Sequence, residues 1–167
     1  MKKIVYLLVV LFLVACSAPE EVVVKKPELS PDLMLAKIRG NNEVQNELVF
    51  QAMPDDAVLD LIEQAKKAEL AGDYQSANTY LSAALRINSS NPEVTQLKAE
   101  IALLQEYWFS AEQLALQSYK YGPKLGDICR RNWLTVHYAK LAQGQPMADY
   151  ELAKNLNECT IVPPARM

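Results

Sequence analysis

Residues 58–92 read VLDLIEQAKKAELAGDYQSANTYLSAALRINSSNP. In the first half Val58, Leu61, Ile62, Ala65 and Ala68 fall on one face of a 3.6-residue period, and the run stops at Gly72. After a tight turn at Gly72 and Asp73, Ala77, Leu81, Ala84, Leu85 and Ile87 build a second apolar face that ends in the polar run Asn88 to Asn91. Two amphipathic helices joined by so short a turn must pack antiparallel. Pro92 opens another helix, with Val94, Leu97, Ile101 and Leu104 as its large apolar residues and Ala99 and Ala102 as its small ones, and Ser110 to about Tyr121 returns.

Sliding the chain on itself by 34 residues aligns Ala65 with Ala99, Ala68 with Ala102, Tyr74 with Trp108, Ala77 with Ala111, and Ala84 with Ser118. Small residues fall on small residues where helices cross. That period, with Gly72, Asp73 and Tyr74 at the turn, Ala77 and Ala84 down the second helix and Pro92 opening the next unit, resembles the tetratricopeptide repeat. The resemblance covers Asp56 to Cys159. It departs from the family pattern where Glu106 and Tyr107 replace Gly and Asp, and at Leu61 and Thr95, where the family has a large aromatic. A third unit reads as a helix from Ile128 to Ala142, a turn at Gly144 to Pro146 and a return from Met147 to about Asn157. Aligning Gly144 with Gly72 requires four residues inserted after Pro123, and it sets Trp133 on the early aromatic position. The expected fold is therefore all-α, an antiparallel helix-hairpin array of about three units.

Upstream the character changes. Lys2 and Lys3 precede an apolar run from Ile4 to Val14, too short to span about 30 Å of hydrocarbon, so residues 1–15 read as an export signal. Leu13, Val14, Ala15 and Cys16 resemble the lipobox of bacterial lipoproteins, which implies cleavage before Cys16 and acylation of its thiol; Ser17 in place of Asp implies sorting to the outer membrane, facing the periplasm. Residues 16–30 then read as a Pro-rich tether, with Val22 to Val24 as a possible short strand, and residues 31–53 as a helical extension. In that extension Leu33, Leu35 and Ile38 lie on a helix begun by Ser30, Pro31 and Asp32 and stopped by Arg39 to Asn42, and a weaker helix runs from Glu43 to about Met53. The repeats occupy 54–160 and a tail 161–167.

The 167 residues carry a net charge of −3, or −5 once Lys2 and Lys3 leave with the signal, and no basic run exceeds two residues. That excludes the phosphate-neutralising footprint of a nucleic-acid binder. With Cys16 acylated, two thiols remain in an oxidising compartment, and Cys129 and Cys159 fall at neighbouring ends of the third hairpin, so a disulfide is expected, with two free buried thiols as the alternative. His137 is the only histidine, and no nucleophile motif, phosphate loop or metal cluster accompanies it; no catalytic residue, cofactor or metal is expected. Asp55 with Asp56, and Glu20 with Glu21, are helix-start and tether charges, and the Tyr107, Trp108, Phe109 run is either core packing or a stacking spot.

In the family that the repeats resemble, the concave face is lined by the first helix of each unit. The resemblance thus implies partner contacts at Ile62, Lys66 and Glu69, at Gln96, Glu100 and Leu103, and at Arg131, Leu134 and Tyr138. Lys66 and Arg131 among several acids suit an extended polar peptide or a chain terminus. The expectation is a lipid-anchored, non-enzymatic adaptor or scaffold that binds another cell-envelope protein. A pilotin-like assembly factor for a secretin or pilus, and an accessory or enzyme of peptidoglycan metabolism, are the alternatives.

Overall fold

A computed structural model describes residues 29–40 and 55–160. The export signal, Cys16, the tether with Val22 to Val24, the weak helix expected after Glu43 and the tail lie outside those residues. All regular structure among the described residues is helical: α1 (Pro31–Gly40), α2 (Asp56–Leu70), α3 (Tyr74–Ile87), α4 (Pro92–Leu104), α5 (Trp108–Tyr121), α6 (Asp127–Ala142) and α7 (Asp149–Glu158).

Local chemistry sets the boundaries. Asp55, Asp73 and Asn91 cap α2, α3 and α4, their side-chain oxygens accepting from Ala57 N at 2.9 Å, Ser76 N at 3.0 Å and Val94 N at 3.1 Å. Pro92 sits at the first turn of α4, where its missing N–H costs nothing. α5 starts at Trp108, two residues before the position expected from the sequence, and Tyr107 precedes it without a side-chain cap.

The three hairpin turns are built alike. Gly72 N–H donates to Glu69 O at 2.9 Å and Asp73 N–H to Ala68 O at 2.9 Å. Glu106 and Tyr107 repeat the pair onto Leu103 O and Ala102 O, and Gly144 and Gln145 onto Leu141 O and Lys140 O. This is the crossed hydrogen-bond pattern that closes a helix through one left-handed residue, and φ is +75° at Gly72, +61° at Glu106 and +73° at Gly144. Between the first two units the correspondence holds residue for residue, since α3 and α5 start and end 34 residues apart. The four residues inserted before the third turn divide into one in the α5–α6 connection and three in α6, which is 16 residues long where α4 is 13.

Each helix from α2 onward packs on its successor, α4 also touches α6, and α1 packs on α4 and α6. The small residues lie at the crossings as expected: Ala77, Ala84, Ala111 and Ser118 have no exposed surface. One core cluster joins α2, α3 and α4 through Val58, Ile62, Leu81, Val94, Leu97 and Ile101. A second brings Met34 and Ile38 of α1 together with Leu103, Ala111 and Leu134. A third joins Ala99, Ala115, Val136 and Met147, with Trp133 packed on it and tilted against Tyr119 at 4.8 Å between ring centroids.

Near the end of α5 the chain passes so close to α4 that a Cβ on Gly122 would meet Ser118 O at 2.9 Å and Pro92 Cβ at 3.0 Å. Ser118 Oγ donates to Pro92 O at 2.8 Å across the same contact. At the C-terminal end Cys129 and Cys159 form a disulfide, with Cα atoms 5.5 Å apart and the Gly126 N–H donating to Cys159 O at 2.8 Å. The bridge joins the start of α6 to the residue after α7, the two ends that the antiparallel reading made neighbours.

Candidate functional site

The first helices of the three hairpins, α2, α4 and α6, turn a polar stripe toward a common groove, and α1 lies in it. At its centre is Glu100, a carboxylate with no exposed surface. Burying an isolated carboxylate would be prohibitive, so its environment must supply opposite charge and donors. Arg131 donates from Nε to Glu100 Oε1 at 2.9 Å, with a second guanidinium nitrogen 2.7 Å away. From the other side Arg39 reaches Oε2, with Nε at 2.8 Å and a terminal nitrogen at 2.7 Å. Gln96 Nε2 donates to Glu100 Oε1 at 3.0 Å and to Thr135 Oγ1 at 2.8 Å, and the Thr135 hydroxyl donates to Arg131 O at 2.8 Å. Both oxygens of Glu100 are thus fully engaged.

The cations are held in turn by a wider ring of acids. Arg39 forks onto Glu69, Nη1 to Oε1 at 2.7 Å and Nη2 to Oε2 at 3.0 Å, the bidentate geometry that a guanidinium forms best. Arg131 meets Glu93 at 3.2 Å and Asp127 at 3.5 Å. Burial opposes the charge on Arg131, and attraction from Glu100, Glu93 and Asp127 outweighs it, so the pKa stands above its ordinary value. The same balance raises Arg39, where burial is outweighed by the hydrogen bond to Glu69 and the field of Glu100. As guanidiniums, both stay charged across the ordinary pH range.

Beside this network a cleft of about 350 Å³ remains open, walled by Arg39, Glu69, Glu93, Asp127 and Arg131, with Lys66 and Leu70 on its rim and Leu97 in its floor. Leu70 is 87% exposed there.

Of the residues expected to touch a partner, the structure brings Glu69, Gln96, Glu100 and Arg131 into one network, and sets Leu103 and Leu134 in a cluster with Met34 and Ile38. Gln96, Glu100, Leu103, Arg131 and Leu134 are buried, and Ile62 belongs to the core between α2, α3 and α4. Of the nine, only Lys66 is exposed, and Glu69 and Tyr138 are half-buried. The physical reasons differ: Ile62 is covered by α3 and α4, Gln96 is sealed by its bonds to Glu100 and to Thr135 of α6, and α1 closes over Glu100, Leu103 and Leu134 through Arg39, Met34 and Ile38. Arg39, read from the sequence as part of a helix stop, instead bridges Glu69 and Glu100; the signal for it is its place next to Ile38 and five residues after Met34, which puts a guanidinium beside an apolar face. Glu93, Asp127 and Thr135 also join the network, without a local signal in the sequence.

Elsewhere, Trp108 packs against the cluster of α1, whereas Tyr107 is 60% and Phe109 68% exposed, so that aromatic run divides between core and surface. His137 is half-buried with its ring 5.1 Å from Tyr138, and its Nδ1 makes no hydrogen bond. Among the described residues no group of three or more His, Cys, Asp or Glu is placed to hold a metal ion, and no helix is long and apolar enough to cross a membrane. No protein-family model matches the chain, and neither does any curated protein or solved structure.

Proposed function

We propose that this protein is a lipid-anchored adaptor of the bacterial cell envelope, a tetratricopeptide-like array that is held by Cys16 on the periplasmic face of the outer membrane and binds another envelope protein without catalysing a reaction. The observation that carries the reading is the groove: three hairpins are closed by equivalent turns, and the face shared by α2, α4 and α6 sets the charged and amide side chains Glu69, Gln96, Glu100 and Arg131 beside the apolar Leu103 and Leu134. A surface of that kind recognises polypeptide. The lipobox-like Leu13 to Cys16 supports the address, since two or three acyl chains at about 0.8 kcal/mol per buried methylene make a stable anchor. The disulfide fits an oxidising compartment.

Two measurements test it. Palmitate labelling of the protein in cells should be lost in Cys16→Ser, which should then be recovered without detergent; an unlabelled wild type would end the lipoprotein reading. A photo-crosslinker placed at Lys66 should capture a discrete envelope protein, one that is not captured from a position on the outer face of α7. Equal capture from both positions would count against the groove.

A further inference from the structure

α1 is ten residues long, and helices of that length are not stable in water on their own. What holds it is one face: Met34, Leu35 and Ile38 are buried, Met34 and Ile38 against Leu103 of α4 and Leu134 of α6, while Asp32, Ala36 and Lys37 face solvent. At the end of that face Arg39 spans Glu69 of α2 and Glu100 of α4. Apolar anchors on one side of a short helix, seated between two longer helices, are the contacts by which helical peptides are recognised in grooves.

We propose that α1 is an exchangeable occupant of this groove, and that the partner recognised there presents a short amphipathic helix with an arginine following its last apolar anchor, in the place of Met34, Leu35, Ile38 and Arg39. This rests on the reading of the groove as the partner site. Charge decides the chemistry of the occupant. With α1 withdrawn, Glu69, Glu93, Glu100 and Asp127 face Lys66, Arg130 and Arg131, an excess of one acid, and Oε2 of the buried Glu100 has lost its donors. An apolar or acidic helix would leave that oxygen unsatisfied in a buried place, so the entering group must carry a cation. Lysine would not serve equally, because one ammonium cannot fork Glu69 and also reach Glu100 as the planar guanidinium does. A partner of this kind binds by replacing α1, and α1 in turn masks the groove until the partner arrives.

The test uses the full chain in detergent and a fluorescent synthetic peptide of residues 29–40 as the probe. In Ile38→Asp the internal helix can no longer seat its anchor, and the peptide should bind about tenfold or more tightly than to the wild type, where α1 competes. A peptide carrying Arg39→Glu should bind about thirtyfold or more weakly than the natural one. Equal affinity of the natural peptide for both chains, or indifference to the Arg39 substitution, would overturn the proposal. Hydrogen exchange on the wild type decides the matter should Ile38→Asp fail to fold. Amides of residues 34–40 should exchange about tenfold or more faster than those of α4; protection equal to α4 would make α1 a fixed part of the core and refute exchange. Peptide exchange without any envelope crosslink at Lys66 would uphold the exchange of α1 while overturning its partner and, with it, the adaptor reading.

Discussion

Glu106 holds a backbone conformation that its type resists. At φ +61° its Cβ crowds the following carbonyl, which costs about 1 to 2 kcal/mol relative to glycine, and the two sister turns use glycine at this place. Glu106→Gly should therefore stabilise the protein by about 1 kcal/mol after the greater freedom of the unfolded glycine is subtracted; an unchanged or lowered denaturation midpoint would show that the turn is not strained. At His137 burial disfavours the imidazolium, with Asp149 only partly opposing, so the pKa lies below its ordinary value. The unfolded chain then binds the proton more readily, and stability present above about pH 6.5 is lost as the pH falls toward the depressed value. Denaturation midpoints measured between pH 7.5 and 5.5 should fall in the wild type and fall less in His137→Gln. Such single positions divide by legibility. The small residues at 77, 84, 111 and 118 announce a crossing by their size alone, whereas a salt bridge such as Arg39 to Glu100 joins residues 61 apart and has no local signature.

Among the helices, α4 shows where periodicity works and where it stops. Nine of its 13 residues are buried, Gln96 and Glu100 among them, so no single apolar stripe marks the inward side. The pattern was readable at α2 and α3, which keep one face in water, and it placed their ends within two residues because Asp55, Gly72, Asp73 and Pro92 terminate helices for stated chemical reasons. It mis-started α5, where Tyr107 offers no cap, and it could not tell that α1 packs on α4 and α6, because ten residues with three apolar anchors suit a surface helix equally well. The crossings themselves allow a test. Ala77→Trp or Ala111→Trp forces a large ring into positions with no exposed surface, and overpacking of that kind costs about 1 to 3 kcal/mol or more. Thermal melts equal to the wild type would contradict the packing at both sites.

Across the whole molecule the fastening is uneven. α7 has no buried residue of its own, and the disulfide from Cys129 to Cys159 closes a loop of 30 residues around it. Constraint of the unfolded chain by such a loop contributes about 3 to 4 kcal/mol on the entropy model. Reduction should accordingly loosen the last hairpin first: hydrogen exchange should quicken over residues 145–158 while α2 and α3 keep their protection, and uniform quickening would mean that the array unfolds as one unit. The contrast between α7 and α4 also bears on how the chain can vary. The segment Pro92–Leu104 packs on α1, α3, α5 and α6 with nine of its 13 residues buried, so it tolerates little change, and its buried polar positions Gln96 and Glu100 are fixed by Arg39, Thr135 and Arg131. The outward residues of Asp149–Glu158 meet water and little else. A saturation library would show a dark band over α4 and a pale one over α7, with Cys159 as a dark line at its edge, and the sequence of this protein can drift far at its C-terminal end before it can move at its centre.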